Sequence, residues 1–120
     1  MERLEQARRR GNALLGEERY SRLVEEMAGF DPEFGELMQT WTFGGMYGRE
    51  ALDQKTRELC AVSALTALNA QTQMLSHARN ALTAGASRAE VMEAVLQTAV
   101  YCGLPYAIES ARAVTKAFPK

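Results

Sequence analysis

A chain of 120 residues makes one domain with one core and a large surface for its volume. Fourteen basic and fifteen acidic residues give a formal net charge of −1, and 47% of the chain is hydrophobic. No signal peptide opens the sequence and no apolar run approaches the ~20 residues of a membrane span, so a cytoplasmic protein is expected, with no membrane partner.

Everything in chain order reads as helix. Glu2 to Leu15 is charged and amphipathic, with Gly16 as its C-terminal stop. The first thirty residues carry Arg3, Arg8, Arg9, Arg10, Arg19 and Arg22 against Glu2, Glu5, Glu17, Glu18, Glu25 and Glu26. Tyr20 is the one aromatic residue interleaved with them, too little to stack bases, so this is a solvated face and nucleic acid is not an expected partner. A second helix spans Glu17 to Ala28. Asp31 and Pro32 start a third, as N-cap and first helical residue, which runs to about Thr42. It ends in Phe43-Gly44-Gly45-Met46-Tyr47-Gly48, an irregular turn.

Asp53 caps a helix from Gln54 to Leu68, whose stretch from Leu59 to Leu68 is apolar or small on every side. Such a helix must be covered all round, and a small domain leaves part of that cover to neighbouring subunits. Gln71 to Ala84 is the next helix, stopped by Gly85. Ser87 and Glu90 fit a capping box for one continuous helix from Arg88 to Cys102. Gly103 breaks it, and Pro105 opens a last helix ending near Phe118. No segment alternates with period two, so the expected fold is all-α, a single-domain bundle of about six to seven helices over residues 1–120.

His77 is the one histidine, and helical spacing turns it toward the same stripe as Met74, Ala78 and Ala81. An imidazole so placed is either a satisfied core group or a proton-transfer group. Glu58 enters the apolar helix. Its carboxylate is either an exposed first-turn acid favoured by the helix dipole or an acid at a dry edge suited to proton exchange. Ala70, Gln73 and His77 share one face, so Gln73 can orient the ring, bind substrate or cap the helix. Gln97 and Tyr101, four apart, can point polar heads into one pocket, and Tyr47 walls a cavity or an interface beside the glycine-rich turn. Arg49, Arg57 and Arg79 are candidate cations for an anionic substrate. Cys60 and Cys102 stand 42 positions apart, a spacing for neither a metal nor a dithiol, and both read as core fillers.

Taken in order, four segments resemble the carboxymuconolactone decarboxylase family. They are Leu52-Asp53-x-x-Thr56-Arg57, Leu65-Thr66-Ala67-Leu68, His77-x-x-x-Ala81-Leu82-x-x-Gly85, and Glu90-x-x-x-x-x-Leu96-x-Thr98-Ala99-Val100-Tyr101-x-Gly103-x-Pro105. The resemblance implies an all-helical homo-oligomer, a trimer or a hexamer built as a trimer of dimers. It also implies cofactor-free chemistry without a metal. The similar alkylhydroperoxidase D branch places a Cys-x-x-Cys pair where this chain has Ala70 and Gln73, while its glutamate and histidine match Glu58 and His77. The decarboxylase branch also lacks the pair. It carries a glutamate where this chain has Gly45, and often a histidine at Gln97.

In the reaction so implied, carbon dioxide leaves a carbon vinylogous to a lactone carbonyl. The protein holds the acid, stabilises the oxyanion and returns a proton. His77 then donates or hydrogen-bonds, Glu58 sets its tautomer, and Arg57 or Arg49 binds carboxylate. Two other functions stay open on the sequence: thiol-dependent peroxidase chemistry through Cys60 or Cys102, and a non-catalytic oligomeric binding protein.

Overall fold

The computed structural model describes residues 2–119, and these gather into two compact units that divide between Ala51 and Leu52. The sequence reading treats them as one domain. Among the described residues the chain is helical throughout, with no strand.

In the first unit, α1 (Glu2–Leu15) and α2 (Glu17–Phe30) are joined by Gly16 alone. Ion pairs of Glu5 with Arg8 and Arg9, and of Glu18 with Arg22, lie along their exposed sides. Arg10 departs from that pattern, because its guanidinium donates to the Phe43 carbonyl at 3.0 Å. Asp31 caps α3 (Pro32–Met38) by accepting from the Phe34 amide at 3.0 Å.

The α-helix expected to reach Thr42 stops at Met38 and widens into a π-helical turn, Gln39–Phe43. Two side chains help to explain this. Thr40 donates to the Glu36 carbonyl and Gln39 to the Gly35 carbonyl, which competes with the regular ladder there. A short 3₁₀ turn, Met46–Gly48, follows. Tyr20, Phe43 and Tyr47 stack edge to face at 5.1 and 5.2 Å, and burial pushes the Tyr20 hydroxyl above the usual tyrosine range.

The second unit is built on α4 (Gln54–Ala67) and α5 (Gln71–Thr83), a hairpin turned at Asn69, whose φ of 57° is one that asparagine tolerates. Val62, Met74, Ala78, Ala81, Val91, Val95 and Val114 form its core. The capping box is complete: Ser87 accepts from the Glu90 amide at 3.0 Å, and Glu90 accepts from the Ser87 amide at 2.9 Å.

The helix expected to run unbroken from Arg88 to Cys102 divides into α6 (Arg88–Leu96) and α7 (Ala99–Cys102). The Thr98 hydroxyl donates to the Val95 carbonyl at 2.6 Å, taking an acceptor that the ladder would use, and the backbone tightens there into three-residue turns, Thr98 N–H to Val95 and Val100 N–H to Gln97. Gly103, at φ 90°, is in the region that favours glycine and lets the chain turn sharply into α8 (Leu104–Ala117).

The apolar helix α4 is covered on one side only. Cys60, Ala64, Ala67 and Leu68 are exposed, as are Val100, Tyr101 and Leu104 on α7 and α8. Cys60 is therefore no core filler: the inward line of α4 is taken by Glu58, Val62 and Thr66, and the cysteine falls on the opposite side. Among the described residues no helix is long and apolar enough to cross a membrane.

Candidate active site

Glu58 sits in the second turn of α4. Asp53 anchors the start of that helix by accepting from the Thr56 amide at 2.8 Å. The Thr56 N–H holds the Asp53 carboxyl below the usual aspartate range. Spacing then sends Glu58, Val62 and Thr66 inward, and Glu58 is completely buried. It is the interior acid of the two sequence alternatives, not the exposed first-turn one.

On α5, Met74, Ala78 and Ala81 are buried and His77 is carried between them. Its Nδ1 lies 2.6 Å from Oε2 of Glu58. The second carboxylate oxygen, Oε1, accepts from the Gln54 side-chain amide at 3.1 Å. An oxygen that accepts from an N–H₂ group carries no proton of its own at that position, so the proton shared by the two groups lies between Oε2 and Nδ1. The imidazole side chain is 22% exposed. Its inner edge is on Glu58, so the edge that solvent reaches is the one bearing Nε2. This pair can pass a proton at Nε2 while the buried carboxylate fixes the tautomer and steadies an imidazolium. Both Glu58 oxygens are engaged and the residue has no exposed surface, so any chemistry it takes part in passes through the ring.

The remaining sequence candidates distribute unevenly. Arg57 is half-buried on α4, next to Glu58. Gln73 is exposed on α5 and does not orient His77, since Glu58 occupies Nδ1. Gln97 and Tyr101 have different surroundings. The Gln97 amide donates to Ser63 Oγ at 3.3 Å, and that hydroxyl donates to the Ala94 carbonyl at 2.7 Å, while Tyr101 stands 82% exposed. Tyr47 and Arg49 belong to the first unit, Tyr47 packed on Phe43 and Arg49 exposed.

Cys102 is half-buried with its thiol on the Thr98 carbonyl, Cys60 is exposed, and neither is hydrogen-bonded to His77. Among the described residues no three of His, Cys, Asp and Glu gather as metal ligands. A groove of about 480 Å³ lies on α6, α7 and α8, lined by Leu96, Leu104 and Ile108 with Arg112 and Lys116 at its border; the dyad does not line it.

Gly45 also has a structural reason. A Cβ there would fall 2.6 Å from the Trp41 carbonyl oxygen, so this backbone has no room for a glutamate at that position. Two polar residues of the second unit were missed from the sequence, Gln54 and Ser63. Gln54 had a readable signal, an amide one helical turn before Glu58; Ser63 had none, since its partners come from a distant helix.

The model of the family described as "Carboxymuconolactone decarboxylase family" matches residues 32–117, a span that contains both members of the dyad. The chain belongs to that family. Among similar proteins is a nitrosuccinic acid decarboxylase of Metarhizium robertsii, 33% identical over 97 residues, covering 81% of this chain and 68% of the relative. A 4-carboxymuconolactone decarboxylase of Acinetobacter baylyi is 28% identical over 92 residues, or 77% of this chain and 69% of its own length. An uncharacterized 15.0 kDa protein of Paracoccus denitrificans is 38% identical over 72 residues, 58% of this chain and 53% of the other. Two of these three relatives are thus named for loss of carbon dioxide.

Proposed function

We propose that the chain is a cofactor-free lyase that removes carbon dioxide from a small acid bearing an electron-withdrawing group within conjugating reach of the departing carboxylate. The observation that carries this is the 2.6 Å contact between the buried Glu58 carboxylate and His77 Nδ1, which leaves Nε2 at the solvent-reachable edge. The relatives' names support the class. A nitro group or a vinylogous lactone carbonyl each gives the electron pair an oxygen to settle on.

The balance is simple. The C–C bond to the carboxylate breaks, carbon dioxide departs, and the pair delocalises onto oxygen. Nε2–H of the imidazolium hydrogen-bonds that oxyanion and supplies the proton that forms the new C–H bond, and water restores the proton to the ring. Arg57, in the first turns of α4, is the cation proposed for substrate carboxylate.

We also propose that the protein works as a homo-oligomer, a trimer or a hexamer. The support is the uncovered side of α4 together with Val100, Tyr101 and Leu104. Free thiols at both cysteines suit a reducing, cytoplasmic setting.

The test is to incubate the purified chain with nitrosuccinate and, separately, with 4-carboxymuconolactone, measuring carbon dioxide release. Turnover with either acid, reduced by ~10²–10⁴ in His77→Ala, is expected. No release from either acid, or equal release by the variant, removes the reading.

A further inference from the structure

The dyad has a third member that acts on the acid rather than on the ring. We propose that Gln54 is its positioning residue: the side-chain amide holds the Glu58 carboxylate plane so that Oε2 faces Nδ1 of His77, and this selects the tautomer that leaves Nε2 for substrate. The inference rests on the dyad as read above and adds the means by which it is kept in register.

Rotation about the last bond of a glutamate side chain is soft and roughly two-fold, so a single hydrogen bond leaves the carboxylate plane free to swing. In the interior a swing away from His77 strands both groups. A second donor on the other oxygen removes that freedom, and Gln54 Nε2 supplies it at 3.1 Å. The residue is well placed to be rigid. It is the first residue of α4, next to the Asp53 cap that fixes the helix start, and it is half-buried, so water competes weakly for its amide.

The donor is also neutral. A cation in that place would compete with the ring for the carboxylate, whereas an amide orients it without adding charge. Lys55, the cation next to Gln54 in the chain, pairs instead with Glu90 at 3.4 Å. Gln54 and His77 each have a hydrogen bond to the Glu58 side chain.

His77 is the single histidine, so its ring nitrogens can be read without assignment ambiguity. The experiment uses the full ¹⁵N-labelled chain at alkaline pH, where an imidazole is neutral. Long-range ¹H–¹⁵N spectra are recorded for the wild type, Gln54→Met and Gln54→Asn. Methionine keeps length without a donor; asparagine keeps the amide but is one methylene too short. Either suffices if the other fails to give a dispersed backbone spectrum.

The wild type is expected to show one tautomer, with Nδ1 protonated and Nε2 unprotonated. In the variants the two nitrogen shifts move toward each other and the downfield Nδ1 proton is lost. A kinetic arm with nitrosuccinate and 4-carboxymuconolactone is expected to show kcat about tenfold lower at unchanged KM, at the low end of what losing a ligand-orienting partner costs. Variants with wild-type nitrogen shifts overturn the proposal, whatever their activity. Shifts that depend on Gln54 in a protein that decarboxylates neither acid sustain it and overturn the proposed reaction instead.

Discussion

The two sides of α4 reverse the usual partition of a helix. Its inward line carries Glu58 and Thr66 beside Val62, all fully buried, while its outward line presents Cys60, Ala64, Ala67 and Leu68 to solvent. The inward polar groups cost little because each is satisfied. Glu58 has two donors, and the Thr66 hydroxyl donates to the Val62 carbonyl at 2.8 Å. The outward apolar groups have no such account within the chain. One line therefore reads as chemistry and the other as assembly, and each can be challenged separately.

The sharpest test breaks the inward line from its two ends. His77→Ala leaves the Glu58 carboxylate buried with Gln54 alone, so activity falls by ~10²–10⁴ and the fold loses about 1–3 kcal/mol. Glu58→Leu with His77→Leu instead replaces the whole pair by apolar groups. Activity falls by a comparable factor, yet denaturant unfolding shows a midpoint unchanged or raised, as replacement of a buried ion pair by apolar groups often does. Equal destabilisation by both would show that the pair supports the fold.

Between the two lines lies the core proper. Met74, fully buried against Val62 and Val95 in one cluster, is expected to cost about 2–5 kcal/mol on Met74→Ala by urea unfolding. A smaller loss would mean that the hairpin collapses around the gap. The result would then set how far losses at the inward line can be read as chemistry.

Legibility in the sequence followed the range of the interactions. The caps at Asp31, Asp53 and Ser87 with Glu90 were readable because donor and acceptor lie three residues apart. The Glu58 and His77 pairing came through the family pattern, since nothing local ties residues nineteen positions apart. The break in the α-helix at Thr98 was not readable: no glycine or proline marks it, and threonine is ordinary in a helix until its hydroxyl takes the carbonyl three residues back. The exposure of Cys60 was hidden for a related reason. A helix apolar all round has no sequence signal for which side faces in, and here the acid decided it.

The cap that fixes the start of α4 titrates. Asp53 has its folded-state affinity for protons lowered by the Thr56 N–H, and Glu90 likewise by the Ser87 N–H first and then by Lys55. Groups depressed in the folded state add stability above the unfolded-state value and lose it as the pH falls through the folded one. Thermal unfolding temperature should therefore drop from neutral pH down through the carboxylate range. Asp53→Asn keeps a capping oxygen but cannot titrate, so its drop should be shallower. Parallel curves for the two proteins would place the acid sensitivity elsewhere.

The outward line is tested by the smallest change to a protomer. Leu68 is 74% exposed, and Ala64 stands one turn before it on the same side. Leu68→Ser with Ala64→Glu should alter protomer stability by no more than ~0.5 kcal/mol, as surface changes usually do. If that side is covered by a second copy, sedimentation of the wild type gives a multiple of the 13.3 kDa chain mass, and the double variant runs as one chain. A variant that stays assembled would move the contact to Val100, Tyr101 and Leu104. The exposed side of α4 would then have no role in assembly, and the division of that helix into a chemical line and a contact line would fail on its second half.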